Sequence, residues 1–155
     1  MLIKTSYFLA IIMIVGYVLF GHPTPTRADN LIYYQNGQAE QLPLDKMPKV
    51  LTNTDALISK IDDAFQLIVT DELITELKSK KCLEIVLSEK REVKPNDFVA
   101  SGFSYSRLLL PLCAGENCGK GVALYFGNDR TYFTPPYVNK NAAAYLEEIR
   151  KIIDK

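Results

Sequence analysis

The chain has 155 residues, of which 48% are apolar, with 18 Lys plus Arg against 18 Asp plus Glu. That length suits one domain, and the apolar share excludes a disordered chain. Zero formal charge offers no basic footprint, so nucleic acid is not an expected partner.

Residues 1–28 read as a leader. Lys4 gives a short positive start, and Thr5 to Gly21 then runs without a charge. Pro23 and Pro25 follow and break any continued helix. This is the order of a secretory signal peptide, with cleavage expected after Ala28. The rival is a retained transmembrane helix. Seventeen helical residues reach about 25 Å, a little short of a hydrocarbon core of about 30 Å. Both versions place the rest of the chain outside the cytoplasm, secreted, periplasmic or anchored to the membrane. Without Lys4 and Arg27 the remainder carries 16 basic residues against 18 acidic ones.

Residues 29–155 read as a single globular domain. Leu31 to Tyr34 is a short strand, Asn36-Gly37 a hairpin turn, and Gln38 to Leu42 the return. Pro43 and Pro48 punctuate a loop. Thr54 is expected to cap a helix from Asp55, with Leu57, Ile61, Ala64, Phe65 and Ile68 as its apolar stripe. Thr70 caps a second helix with acids in its first turn, an apolar side of Leu73, Ile74 and Leu77, and a Glu76–Lys80 pair.

Cys82 to Glu89 alternates as a strand, with Leu83, Ile85 and Leu87 on one side. Glu84, inside this apolar run, is a candidate buried acid, but alternation favours sending it outward with Ser88; Cys82 is read as a buried thiol at the strand's start, the alternatives being a pairing with Cys113 or Cys118 or an intermolecular bridge. After a loop around Pro95, Tyr105 to Cys113 and Gly121 to Phe126 form two further strands, with Pro111 marking an edge or a bulge. Cys113 and Cys118 flank the hairpin tip between them. In an oxidising compartment a disulfide is expected there, closing a short loop and contributing about 2 kcal/mol.

Tyr125, Phe126, Arg130, Tyr132, Phe133 and Tyr137 crowd around a Gly-Asn-Asp turn and a Pro-Pro pair. Rigid aromatic side chains beside an Arg make this loop the candidate binding surface, set against the ordinary use of such rings as core. Thr131 to Thr134 gives a short last strand. Asn139 or Asn141 is expected to cap a final helix, Ala142 to Asp154, with Tyr145, Leu146, Ile149, Ile152 and Ile153 inward and a Glu147–Lys151 pair outside.

The fold class expected is α+β: a small antiparallel sheet of four to five strands, with helices mainly on one face, behind an apolar leader helix. His22, in the leader, is the one histidine. A mature chain would have none, which argues against Ser-His and Cys-His catalysis and His-ligated zinc. No catalytic residue, metal site or cofactor is assigned. Adjacent carboxylates such as Asp62-Asp63, Asp71-Glu72 and Glu147-Glu148 diverge by about 100° on a helix. The function expected is a non-catalytic exported or membrane-anchored domain that binds a protein, peptide or envelope component, with the membrane as a partner if the leader is retained. The alternatives are a structural or assembly component of a membrane complex, and a carboxylate-based hydrolase.

Overall fold

A computed structural model describes residues 28–112 and 121–155. Leader residues 1–27 and both Cys113 and Cys118 lie outside the described residues, so the signal, the anchor and the disulfide find no test there. Among the described residues eight strands form one antiparallel sheet: β1 (Asn30–Gln35), β2 (Gln38–Gln41), β3 (Asp63–Ala64), β4 (Cys82–Val93), β5 (Phe103–Pro111), β6 (Val122–Asn128), β7 (Thr131–Tyr132) and β8 (Tyr137–Asn139). Three α-helices accompany them: α1 (Met47–Ile58), α2 (Asp71–Lys78) and α3 (Ala143–Ile153). The strand order is β2-β1-β4-β5-β6-β8-β3, with β7 also paired to β6.

The expected sheet of four to five strands is therefore too small, and the protein is mostly sheet. Two causes account for the difference. The first hairpin is not a separate feature: β1 pairs along β4 and carries β2 into the same sheet. The strands β3, β7 and β8 are two or three residues long, too short to show a period of two. β7 and β8 follow one another along the same side of β6, interrupted at Thr134-Pro135-Pro136.

Two of the three helices, α1 and α3, share one face of the sheet, and α2 lies on the other. The main core joins Leu83, Ile85 and Leu87 of β4 to Leu108 and Leu110 of β5, Val50 and Leu57 of α1, and Leu146 and Ile149 of α3. A second, smaller core on the other face sets Ile74 of α2 over Cys82, Leu109 and Tyr125. Sequence alternation identifies the Leu83–Leu87 row correctly. The opposite row needs α2 to make it interior.

Local signals explain most elements. Asn36 and Gly37 have φ of 53° and 77°, the left-handed pair that a two-residue hairpin turn requires. The Thr70 hydroxyl accepts the Leu73 N–H at 3.2 Å and starts α2. The helix expected from Asp55 instead begins at Met47. Pro48 sits in its first turn, where no N–H is needed. Thr54 is not a cap: it is buried in mid-helix, its hydroxyl donating to the Val50 carbonyl at 2.8 Å. The helix stops at Ile58, and the Asp62 N–H then donates to the Val138 carbonyl at 3.0 Å. That bond draws the chain into β3, so Ala64, Phe65 and Ile68 never form a helical stripe.

The last helix has Ala142, not an Asn, at its cap position. Asn139 is fully buried instead, donating to the Leu57 carbonyl at 3.0 Å and accepting the Asn141 N–H at 2.8 Å. On its outer side Lys151 pairs with Glu148 at 2.8 Å rather than with Glu147, which Arg150 approaches at 3.5 Å.

Candidate functional site

Two features of the described surface and interior bear on function. The first is built on Glu84, which is 2% exposed. It does not point to solvent with Ser88. On β4 it stands between Ile32 of β1 and Leu109 of β5, on the face that α2 covers.

Each neighbouring element sends one side chain to it. Tyr34 of β1 donates its hydroxyl to Oε2 at 2.7 Å, and Lys78, from the last turn of α2, donates to the same oxygen at 2.8 Å. Tyr132 of β7 donates to Oε1 at 2.5 Å, while Arg107 of β5 places Nη1 3.3 Å from that oxygen. The cations also lie against the rings: the Lys78 ammonium is 4.9 Å from the Tyr34 ring centre, and the Arg107 guanidinium 6.0 Å from that of Tyr132. Gly127 is paired between Arg107 and Tyr132. It presents no side chain to separate them.

Burial pushes the Glu84 carboxyl up, but the hydrogen bonds from Lys78, Tyr132 and Tyr34 outweigh it and hold the group below the usual carboxylate range. Burial, with the Glu84 charge beside them, pushes both phenols well above their ordinary value. Glu84 is thus an ionised acceptor, and the two tyrosines are fixed donors. Both carboxylate oxygens are committed, which suits a buried ionic tie between elements better than an acid or base waiting for substrate. Cys82, next on the same face, is buried, and that burial pushes its thiol up to about 12. It is a packed side chain rather than a nucleophile.

The residues of the aromatic loop are placed apart. Tyr125 packs in the small core under α2. Phe126 is 1% exposed on the opposite face, edge-on to Phe103 and Tyr105 at 5.1 and 5.0 Å. Tyr137 stacks on Phe103 at 5.4 Å, and Phe133 meets the same ring edge-on at 6.0 Å. Tyr132 turns to Glu84, and Arg130 lies exposed in the β6–β7 turn. The structure does not bring the six together on one surface.

The second feature was hidden by the helical reading of residues 55–68. Phe65, Leu67 and Ile68 are 54%, 40% and 74% exposed, in a four-residue stretch that leaves the edge strand β3. The stretch is held at both ends: the Phe65 N–H donates to the Pro136 carbonyl at 2.9 Å, and the Val69 N–H to the Thr134 hydroxyl at 3.0 Å. No local signal in the sequence pointed to it, because the contacts that hold it, to Pro136 and Thr134, are far away in the chain.

Among the described residues, no group of three or more His, Cys, Asp or Glu is placed to hold a metal ion, and no helix is long and apolar enough to cross a membrane. Compared with protein-family models, with curated proteins and with solved structures, the chain matches none.

Proposed function

We propose that the chain is a non-catalytic domain, exported or anchored outside the cytoplasm, that binds a protein, peptide or envelope component. The observation that carries this reading is the Phe65–Ile68 stretch. Isolated exposed apolar side chains are ordinary. Three within four residues, on a backbone tied down by Pro136 and Thr134, form an ordered apolar ridge of the kind that partners cover. The ridge also adjoins β3, a sheet edge with one side unpaired, where a second chain finds backbone donors and acceptors. The closed bonding of Glu84 supports binding over carboxylate catalysis.

A photo-crosslinking side chain at position 68, in the full chain expressed in its host, tests the reading. The expected result is a discrete adduct formed from the extracytoplasmic fraction, absent when the same group replaces exposed Glu89 on the far side of β4. No adduct at position 68, or the same adducts from both positions, would refute the binding surface. Recovery of the chain from the cytosol alone would refute the location.

A further inference from the structure

The second face of the sheet is closed by a lightly held element. Among the described residues α2 is the one helix on that face, set over Cys82, Leu109 and Tyr125. It has eight residues and buries a single side chain, Ile74. By contrast, α1 buries Met47, Val50, Thr54 and Leu57, and α3 buries Leu146, Ile149 and Ile153. A helix of eight residues does not hold itself in water. Its packing and its ties therefore decide whether it stays in place. Val69, Leu73 and Leu77 add only half-buried contacts.

The chain is fixed on either side of this helix. Before it, the Val69 N–H donates to the Thr134 hydroxyl at 3.0 Å. After it, the Lys81 carbonyl accepts the Leu112 N–H at 2.9 Å. Between these points the polar link of α2 to the sheet is the Lys78–Glu84 pair at 2.8 Å, with Lys78 24% exposed. The other partners of Glu84 stand on strands: Tyr34 on β1, Tyr132 on β7 and Arg107 on β5. Stripping a buried charge of all its partners is strongly unfavourable. Releasing Lys78 does not do that. The carboxylate keeps three strand-borne partners, and the ammonium moves from partial into full hydration.

We infer that residues 70–80 form a strap that swings off the sheet as a unit while the strands stay paired, uncovering Cys82, Leu109 and Tyr125. Lys78 is its latch, and the fixed points at Val69 and Lys81 are its two ends. Cys82 reports the motion. Its backbone pairs with Tyr34 of β1 and Pro111 of β5, so the ladder around it stays closed when its side chain is uncovered. The thiol therefore reads the strap, and the neighbouring amides read the sheet. This device does not rest on the binding role given to the Phe65–Ile68 ridge.

The test treats the full chain with N-ethylmaleimide. Peptide mass spectrometry follows the label on Cys82, and hydrogen exchange is read on the same preparation. Each rate, divided by that of the denatured chain, gives an opening constant. The constant for the Cys82 thiol is expected to be at least about tenfold larger than for the Leu83 and Ile85 amides, and equal to that of the α2 amides. Ile149→Val, in the main core, is expected to raise the constants of Leu83 and Ile85 several-fold and to leave those of Cys82 and α2 unchanged. Lys78→Met keeps the apolar stem and removes the ammonium. It is expected to raise all of them several-fold, because the open and the unfolded chain both lack the latch. Equal constants for thiol and strand amides, or a rise at Cys82 in Ile149→Val, would mean that only global unfolding bares this face, and would overturn the strap. Rapid exchange in α2 with Cys82 unlabelled would overturn the uncovering, and an unchanged Cys82 constant in Lys78→Met would overturn the latch. Labelling of Cys82 at the denatured rate would overturn the proposal as well, since the face would then never be closed.

Discussion

Glu84 is a carboxylate placed where a sheet residue ordinarily needs an apolar side chain. Removing its charge leaves Lys78 and Arg107 without the buried carboxylate that lies between them, so Glu84→Gln is expected to cost about 3 kcal/mol in denaturant unfolding. Tyr132→Phe removes one donor and keeps the ring, and about 1–2 kcal/mol is expected by the same measurement. The acid response follows from the lowered carboxyl. A group held below its ordinary value adds stability above that value and loses it as pH falls through the lowered one. Stability is therefore expected to decline below about pH 4.3, the ordinary Glu value, and more steeply in the wild type than in Glu84→Gln. A pH series of denaturant midpoints reads both slopes. Sequence alternation assigned Glu84 outward because it treats a polar residue as a mark of the wet face. Its partners lie six residues away on α2 and on three other strands, and no local pattern announces them.

Elements with a strong local signal were legible: the Asn36-Gly37 turn, the Thr70 cap and the Leu83–Leu87 row stand where the sequence puts them. Helix α1 was not, because prolines that mark a loop also suit a helix's first turn, and because Ile61, Phe65 and Ile68 continue the helical spacing by chance. The bond from Asp62 to Val138 ends the helix, and it links residues that are far apart in the chain. Thr70→Ala is expected to destabilise the protein by about 1 kcal/mol, through the unmatched Leu73 N–H. At Gly127 an added methyl would collide with the Thr131 carbonyl oxygen of the β6–β7 hairpin. Gly127→Ala is expected to cost about 2 kcal/mol and to loosen Tyr132 from Glu84, visible as a near-ultraviolet change in the tyrosine signal. By contrast, Phe65→Ser combined with Ile68→Ser is expected to move stability by less than about 1 kcal/mol. Those side chains lie on the outside.

Across the whole molecule, the fold is one sheet with unequal cores on its two faces. Strands β4 and β5 pair along most of their length, and are bounded by α1 and α3 on one side and α2 on the other. Their amides are expected to exchange with deuterium at the rate of global unfolding, while β2, exposed throughout, and β3 exchange by local opening. Uniform protection across all strands would contradict this two-tier picture. The placement of β1 has a mechanical side. The described chain enters the sheet at Asn30, directly into a strand flanked by β2 on one side and β4 on the other. Tension drawn on that entry point is shared by two ladders of backbone bonds, as a rivet shares load between plates. A cell that tugged on this domain from its front end would be pulling on a strand clamped within the sheet rather than on a loose thread.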